Sequence, residues 1–398
     1  MDAVTKYQQQ LLDQARQIYH RTPISDATAK AFLEVPRHLC VRRYRERASK
    51  EWAQVDERNL HEHAATLYAD NSLILFGEDD DNIPSTISQP SFVLRMLDLL
   101  QVRPGQSVLE LGAGSAWNAA LLGQLVGSSG RVYSLEIIPE IAESASDTVA
   151  RLGIKNVDII HGDGGDGHSV GAPYDRIVFT AGAYDIPRAL YTQIKDGGLL
   201  LAVIKNPGGG DTLFLLQKTR DHFESLDSMP CGFVQLTGKY QIDSLDAVCI
   251  ETWPEWAELQ RREIARRPFW WGGKGPEWSQ WQTSGIRSFL GITEPMLRAF
   301  KTARDQSGGV EEQYFGLWDA DQASLVLAAH DELISYGTMA SADRLSHTLH
   351  TWVDLGMPTA ASFALRVYPS DDRVTTGVQQ WSVIRNQSQF VWSLGRQD

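Results

Sequence analysis

The sequence predicts an α/β fold: a parallel, doubly wound sheet followed by a smaller α+β domain. Three observations support this prediction. Short apolar runs alternate with helical segments from about residue 91 to 204, a glycine turn joins the first apolar run to a helix, and the composition changes near residue 240. Alternating strands and helices favour a parallel sheet, because each crossover helix returns the chain to the same edge.

Periodicity places the elements in order. Helices are expected at 3–20 and 26–34, the second ended by Val35-Pro36-Arg37. A polar, acidic stretch over 44–82 follows, and its charge run at 78–82 is typical of a solvated loop. Further helices are predicted at 90–100, 116–126, 139–152 and 187–194. Strands are predicted at 108–111, 131–136, 157–161, 174–180 and 199–204, with a closing hairpin of 213–218 and 228–235.

Bulk properties exclude some classes of function. The 398 residues suit two or three domains, and the net charge of −13 argues against a nucleic-acid backbone as the main partner. Three cysteines (Cys40, Cys231, Cys249) lack close metal-ligand spacing, so free thiols in a reducing cytosol are expected and no metal. No apolar run has membrane-spanning length and the N-terminus has no signal-peptide core, which predicts a cytoplasmic protein without a membrane partner.

We divide the chain into four regions: an N-terminal helical and loop region at 1–85, a core at 86–239, a Trp-rich linking or wrapping segment at 240–310, and a small α+β domain at 311–398. Ten of the twelve tryptophans lie beyond residue 250. The last region has a β-β-α-β-β pattern, which predicts one antiparallel sheet with one helix. Its parts lie at 314–319, 324–329, 340–355, 364–368 and 381–384 followed by 389–394.

The glycine turn carries the strongest chemical signal. It follows the apolar run that ends at Leu111, and a second apolar run ends at Glu136. Glycines let the backbone approach a ligand closely, and an acid at the tip of the next strand can accept hydrogen bonds from a ribose diol. Trp117 replaces the third glycine of the dinucleotide fingerprint. The turn therefore resembles the S-adenosylmethionine (SAM) site of a Rossmann-like class I SAM-dependent methyltransferase.

Short motifs elsewhere narrow this resemblance. The most distinctive is Thr86-Ile87-Ser88-Gln89-Pro90, just upstream of the turn. Residues from about 30 to 237 resemble protein-L-isoaspartate O-methyltransferase. The matching pieces occur in that family's order at 35–37, 68–70, 86–90, 108–115, 132–136, 162–164, 172–175, 177–181 and 186–187.

The resemblance implies which residues bind SAM, with S-adenosylhomocysteine as the product. The turn would contact the methionine and ribose end, the next strand tip would hold the ribose hydroxyls, and a third strand end would meet the adenine. These residues are, in that order, Glu110, Gly112, Gly114 and Ser115, then Glu136 and Ile137, then Asp163 and Gly164. The alternatives are an ordinary strand–helix turn, a solvated strand tip and a turn former.

The resemblance also implies that Ser88 is the catalytic residue and hydrogen-bonds the carboxylate that accepts the methyl group. A carboxylate is already ionised at neutral pH, so it needs orientation rather than a general base. Thr86 and Thr180 are further candidates for substrate binding. The alternative for Ser88 is a helix N-cap ahead of Pro90, and both threonines can equally be structural.

The sequence departs from the family at three places. Ala116 stands where the family usually has glycine, Trp117 stands where it usually has tyrosine, and residues 77–84 replace a short glycine-containing loop that borders the acceptor site. The first two changes affect the methionine pocket, and the replaced loop predicts a different substrate.

The C-terminal region suggests what that substrate is. Such an extension resembles homologues that tailor ribosomally synthesised peptides (lanthipeptides, lasso peptides, graspetides). The resemblance implies methylation of one Asp side chain in a dedicated precursor peptide, followed by closure to an aspartimide (succinimide) and possibly hydrolysis to isoaspartate. Three alternatives stay open: housekeeping isoaspartyl repair, methylation of a C-terminal carboxylate or small acid, and a binding protein with an inactive SAM site. The sequence does not specify the oligomeric state.

Overall fold

The predicted parallel strands are present in the structure, a computed structural model that describes residues 3–47, 49–77, 85–241, 246–269, 280–302, 313–329, 332–372 and 374–395. The chain forms two units. The first comprises Met1–Val203, Phe214–Phe223 and Phe233–Tyr240, and the second comprises Ile204–Leu213, Glu224–Gly232 and Gln241–Asp398. Segments 204–213 and 224–232, which the sequence placed in the core region 86–239, therefore belong to the second unit.

The first unit begins with helices and two short antiparallel strand pairs and then alternates strands with helices. Its elements are α1 (Ala3–Ile18), α2 (Asp26–Glu34), β1 (Arg43–Tyr44), β2 (Ala53–Gln54), α3 (Leu60–Leu67), β3 (Leu73–Phe76), β4 (Ser85–Ile87), α4 (Pro90–Leu100), β5 (Ser107–Leu111), α5 (Trp117–Val126), β6 (Arg131–Glu136), α6 (Pro139–Arg151), β7 (Val157–His161), β8 (Tyr174–Ala183), α7 (Arg188–Gln193) and β9 (Ile194–Ile204). Strands β10 (Asp211–Thr219) and β11 (His222–Cys231) are each divided between the two units.

The central sheet of this unit has the order β7-β6-β5-β8-β9-β10. Strand β5 pairs in parallel with both β6 and β8, and β6 pairs in parallel with β7. In this register Glu110 lies opposite Ser134, and Glu136 lies opposite His161. The carboxyl ends of β5, β6 and β7 therefore meet at one edge, where open α/β sheets bind ligands. The predicted α/β class is confirmed.

The closing hairpin differs from the prediction in its second strand. Strand β11 occupies His222–Cys231 instead of 228–235, because Arg220, with φ of 50°, allows a tight connection directly after Thr219. The chain beyond β11 pairs with the end of β8 instead. The Gly182 N–H donates to Val234 O at 2.7 Å, and the Leu236 N–H donates to Gly182 O at 2.8 Å.

The second unit contains more strands than the sequence predicted. Its further elements are β12 (Val248–Cys249), α8 (Trp256–Leu259), β13 (Glu263–Pro268), α9 (Gln280–Thr293), β14 (Leu297–Lys301), β15 (Gln313–Asp319), β16 (Ser324–Ala329), β17 (Glu332–Tyr336), α10 (Ala340–Asp354), β18 (Phe363–Pro369), β19 (Gln380–Ile384) and β20 (Ser388–Leu394). Six strands form a sheet with the order β12-β14-β15-β16-β17-β13, while β18, β20 and β19 lie beside the part of β11 in this unit.

The strands predicted to form one C-terminal sheet thus belong to two. Alternation predicts that a segment is a strand but not which strand it pairs with. Strand β13 was missed because it is an edge strand with mostly exposed, Arg-rich side chains and no apolar alternation. In the six-stranded sheet, Trp253 and Trp256 pack against a buried cluster that includes Phe300 and Leu325. Trp270, Trp271 and Trp278 lie outside the described residues.

Two features are absent from the described ranges: a membrane-spanning helix and a metal-binding cluster. No helix there is both long enough and apolar enough to cross a bilayer. The same residues contain no cluster of three or more His, Cys, Asp or Glu side chains that could bind a metal ion.

Candidate active site

The turn after β5 is shaped for close approach of a ligand. Gly112 and Gly114 have φ of 103° and 52°. A Cβ at Gly112 would lie 2.6 Å from Thr180 Oγ1, so a side chain there would collide. The N–H groups of Gly112 and Ala113 both donate to Leu135 O, at 2.8 and 3.0 Å, which ties the turn to β6. This cradle fits a ligand that lies against the backbone.

Glu136 joins the turn to the next strand. Its Oε2 accepts the Gly114 N–H at 3.0 Å, and its Oε1 accepts the Ile138 N–H at 3.2 Å. Each carboxylate oxygen has a second lone pair, so Glu136 can still accept hydrogen bonds from a ribose diol. Ser115 lies in the same turn, where its Oγ accepts the Trp117 N–H at 3.2 Å.

Glu110 is completely buried beneath the turn. Its Oε1 accepts from Asn118 Nδ2 at 2.7 Å, and its Oε2 accepts from Ser134 Oγ at 2.5 Å. The pKa of this carboxyl is raised from 4.5 to about 7: burial is the main cause and the charge of Glu136 a smaller one, while the two hydrogen bonds act in the opposite direction. Both carboxylate oxygens accept hydrogen bonds from protein side chains, so the predicted contact of Glu110 with SAM stays a prediction.

The end of β7 supplies the other side of the predicted cofactor site. Asp163 Oδ1 accepts the Gly165 N–H at 2.8 Å, and Oδ2 accepts the Lys239 N–H at 3.0 Å. Gly164 lies against β5, since a Cβ there would be 2.9 Å from Leu111 Cγ. Asp163 is therefore held by backbone donors and retains lone pairs that can face an adenine amine.

A segment that sequence analysis missed lies against this side. A Cβ at Gly238, which has φ of 107°, would lie 2.4 Å from Ile137 Cδ1 and 2.5 Å from Asp163 Oδ2. The Tyr240 ring covers Gly165 so closely that no side chain fits there. Lys239 forms an ion pair with Asp166. The only sequence signal was the glycine at 238, because the contacts join positions more than 70 residues apart.

The predicted acceptor residues lie on and after β4. This strand lies against the glycine turn: a Cβ at Gly114 would be 3.3 Å from Ser85 Oγ and 3.9 Å from Thr86 O. Ser88 follows the strand and is half-buried, and among the described residues its hydroxyl has no hydrogen-bond partner. The N-cap of α4 is Gln89, so Ser88 does not take the capping role that was its alternative.

The two threonines differ from Ser88. Thr180 Oγ1 lies 2.8 Å from Leu111 O and 2.5 Å from Gly112 O, so its hydroxyl holds the glycine turn. Thr86 pairs with Ile74 of β3. That either threonine binds substrate stays a prediction.

The two departures within the turn have distinct consequences. Ala116 has φ of 63°, the left-handed conformation that favours the family's usual glycine. Trp117 is buried and its Nε1 donates to Val35 O at 3.3 Å, so the ring packs on the N-terminal helices. The third departure, at 77–84, lies outside the described residues from 78 onward.

Comparison with known proteins now identifies the family. The family model "Protein-L-isoaspartate(D-aspartate) O-methyltransferase" matches residues 6–241, more than half of the chain. The chain belongs to the protein-L-isoaspartate O-methyltransferase family. Membership confirms that the chain is a SAM-dependent carboxyl methyltransferase, as the sequence predicted.

Two relatives agree with this assignment, and one solved structure shares the fold. A protein-L-isoaspartate O-methyltransferase of Ignicoccus hospitalis is 37% identical over 174 residues, 43% of this chain and 82% of the relative. Protein-L-isoaspartate O-methyltransferase 1 of Archaeoglobus fulgidus is 38% identical over 226 residues, 56% of this chain and 91% of the relative. A solved protein-L-isoaspartate O-methyltransferase structure aligns with 90% of this chain and 96% of its own, with a TM-score of 0.53 and 22% identity.

Proposed function

We propose that this protein transfers a methyl group from SAM to the free carboxylate of isoaspartyl residues in peptides and proteins. Family membership supports the reaction class. The observation that carries the proposal within the site is the half-buried Ser88 hydroxyl, which has no partner among the described residues and follows a strand packed against the glycine turn.

One set of residues in the site would bind the cofactor, and Ser88 would bind the carboxylate that accepts the methyl group. Gly112, Gly114 and Glu136 would hold the methionine and ribose part of SAM, and Asp163 would face the adenine. When bound, SAM supplies an electrophilic methyl group on its sulfonium. The Ser88 O–H donates to one oxygen of the acceptor carboxylate and leaves the other free to react. No residue has to remove a proton, because the carboxylate is already ionised at neutral pH.

Repair of isoaspartyl residues has more support than tailoring of a dedicated precursor peptide. The match of the solved structure to 90% of this chain reaches far beyond residue 241, so a fold that includes an extension also occurs in a protein named protein-L-isoaspartate O-methyltransferase. The extension therefore no longer favours aspartimide formation on a precursor. We also propose that the methyltransferase part ends near residue 239 and that the regions at 240–310 and 311–398 assist substrate binding.

A matched pair of peptides tests the substrate. Two C-terminally amidated peptides of one sequence, one with isoaspartate and the other with aspartate, are incubated with the enzyme and labelled SAM. We expect methylation of the isoaspartyl peptide alone. Preferential methylation of the aspartyl peptide would favour the precursor-peptide function, and label only on peptides with a free C-terminus would indicate a C-terminal methyltransferase. No transfer to any peptide, despite SAM binding, would contradict the proposal.

A substitution tests the role of Ser88. Ser88→Ala removes one hydrogen bond to a charged group, worth about 1.5–3 kcal/mol, so kcat/KM for the isoaspartyl peptide should fall roughly 10- to 150-fold. Affinity for SAM, measured by calorimetry, should change less than about twofold. Ser107→Ala is a matched control, because Ser107 is a half-buried serine at the opposite end of β5. Loss of SAM binding in Ser88→Ala would place this serine in the cofactor site instead.

A further inference from the structure

Arg37 is a completely buried arginine to which the reaction as described assigns no role. It lies in a short 3-10 turn after α2. Its guanidinium donates to three backbone carbonyls: Nη1 to Ser88 O at 2.6 Å, and Nη2 to Asn71 O at 3.0 Å and Ile87 O at 3.3 Å. Two of these three acceptors are the peptide carbonyls on either side of the Ser88 N–Cα bond.

The other face of Arg37 contacts the cofactor side. The guanidinium carbon lies 4.9 Å from the centre of the Trp117 ring. Trp117 is the first residue of α5, which begins immediately after the glycine turn, and its Nε1 is fixed to Val35 O. A single side chain thus contacts both the segment Ile87–Ser88 and the helix that follows the glycine turn.

This arrangement is energetically unusual. Among the described residues Arg37 forms no ion pair, and its Nε has no hydrogen-bond partner. Burial lowers the pKa of the guanidinium to about 9, which means that keeping this group charged in the interior costs folding free energy. A buried cation that bonds carbonyls in place of a carboxylate restricts the backbone that carries those carbonyls.

We propose that Arg37 is a positioning residue for methyl transfer, which fixes the backbone at Ser88 relative to the glycine turn. The inference rests on the proposed role of Ser88. With the Ile87 and Ser88 carbonyls both held by one rigid planar group, the direction of the Ser88 Cα–Cβ bond is set, and with it the region that the hydroxyl can reach. A reacting carboxylate must lie within a few tenths of an ångström of its productive position.

The substitution Arg37→Lys distinguishes the effect of the planar hydrogen-bonding geometry of Arg37 from the effect of its positive charge. Lysine keeps a positive charge but ends in a compact ammonium on a flexible stem, which cannot reproduce the planar fork. For the isoaspartyl peptide we expect kcat to fall about 10- to 100-fold, while the SAM dissociation constant changes less than about threefold. Arg43→Lys is the matched control: Arg43 also stacks on a tryptophan, Trp52, at 4.6 Å, but it is exposed, and the Ile87 and Ser88 carbonyls bond Arg37 instead. It should leave kcat within about twofold.

A double-mutant cycle tests whether Arg37 acts through Ser88. If it does, Arg37→Lys should reduce kcat/KM less than threefold when Ser88 is already alanine. Full additivity of the two effects would overturn the proposal, and so would an equal loss of SAM affinity and of kcat.

Hydrogen exchange keeps the inference testable if the isoaspartyl peptide is not a substrate. In Arg37→Lys, amides of a peptide that covers residues 85–92 should exchange at least about tenfold faster than in the wild type. Amides of β6 should be unchanged. Unchanged exchange at 85–92 would refute positioning by Arg37 even with an active enzyme, whereas inactivity of the wild type would refute only the proposed substrate.

Discussion

The buried carboxyl of Glu110 makes the stability of the first unit depend on pH. Its pKa is raised from 4.5 to about 7, first by burial and then by the charge of Glu136. The folded state therefore binds more protons than the unfolded state between these two values. The stabilising contribution is complete below about pH 4.5 and is lost as the pH rises through about 7.

The magnitude follows from the two pKa values. Linkage gives a loss of about 2 kcal/mol of unfolding free energy between about pH 5.5 and 8. For a domain of roughly 150–250 residues this corresponds to about 4–8 °C in the unfolding temperature. Glu110→Gln removes the titration and keeps a group that can bond Asn118 and Ser134, because the Asn118 amide and the Ser134 hydroxyl can each reverse their hydrogen-bonding roles.

The assay compares unfolding temperatures of the wild type and Glu110→Gln in buffers from about pH 5.5 to 8. We expect the two curves to converge at low pH and the variant to become the more stable protein as the pH rises. Glu143→Gln, which changes an exposed carboxyl on α6, should follow the wild-type curve. Parallel curves for the wild type and Glu110→Gln would refute the reasoning, because they would mean that Glu110 does not titrate in this range.

Two further predictions concern the turn. Glu136→Ala should weaken SAM binding by about 1.5–3 kcal/mol, or roughly 10- to 150-fold in a calorimetric titration, because it removes both the predicted ribose acceptor and the bond to Gly114; a change below threefold would exclude the ribose contact. Ala116→Gly should stabilise the protein by about 0.5–1 kcal/mol in urea unfolding, since relief of the left-handed alanine exceeds the entropic cost of glycine. The control Ala119→Gly, inside α5, should destabilise by about 0.5–1 kcal/mol, and equal effects of the two substitutions would contradict the strain argument.

Local signals predicted the parallel part of the fold. Each strand from Ser107 to Ile204 contains a short apolar run, and the helices between them are rich in apolar residues, so the local sequence indicates both. The positive φ of Gly112 and the position of Glu136 at the end of β6 were predictable for the same reason. The second unit was less predictable, because the pairing of β12 with β14 and of β13 with β17 is chosen by packing between segments far apart in the chain.

By itself, the sequence determined the parallel strands, the glycine turn and the acidic residues at the end of β6 and after β7. These features follow from periodicity and backbone sterics over a few residues. Only the tertiary structure revealed that Arg37 bonds the carbonyls at Ile87 and Ser88, and that Lys239 donates to Asp163. These contacts join positions 51, 50 and 76 residues apart. Burial removes water as a competitor for the Arg37 bonds, and no local pattern of residues encodes which distant groups meet in the fold.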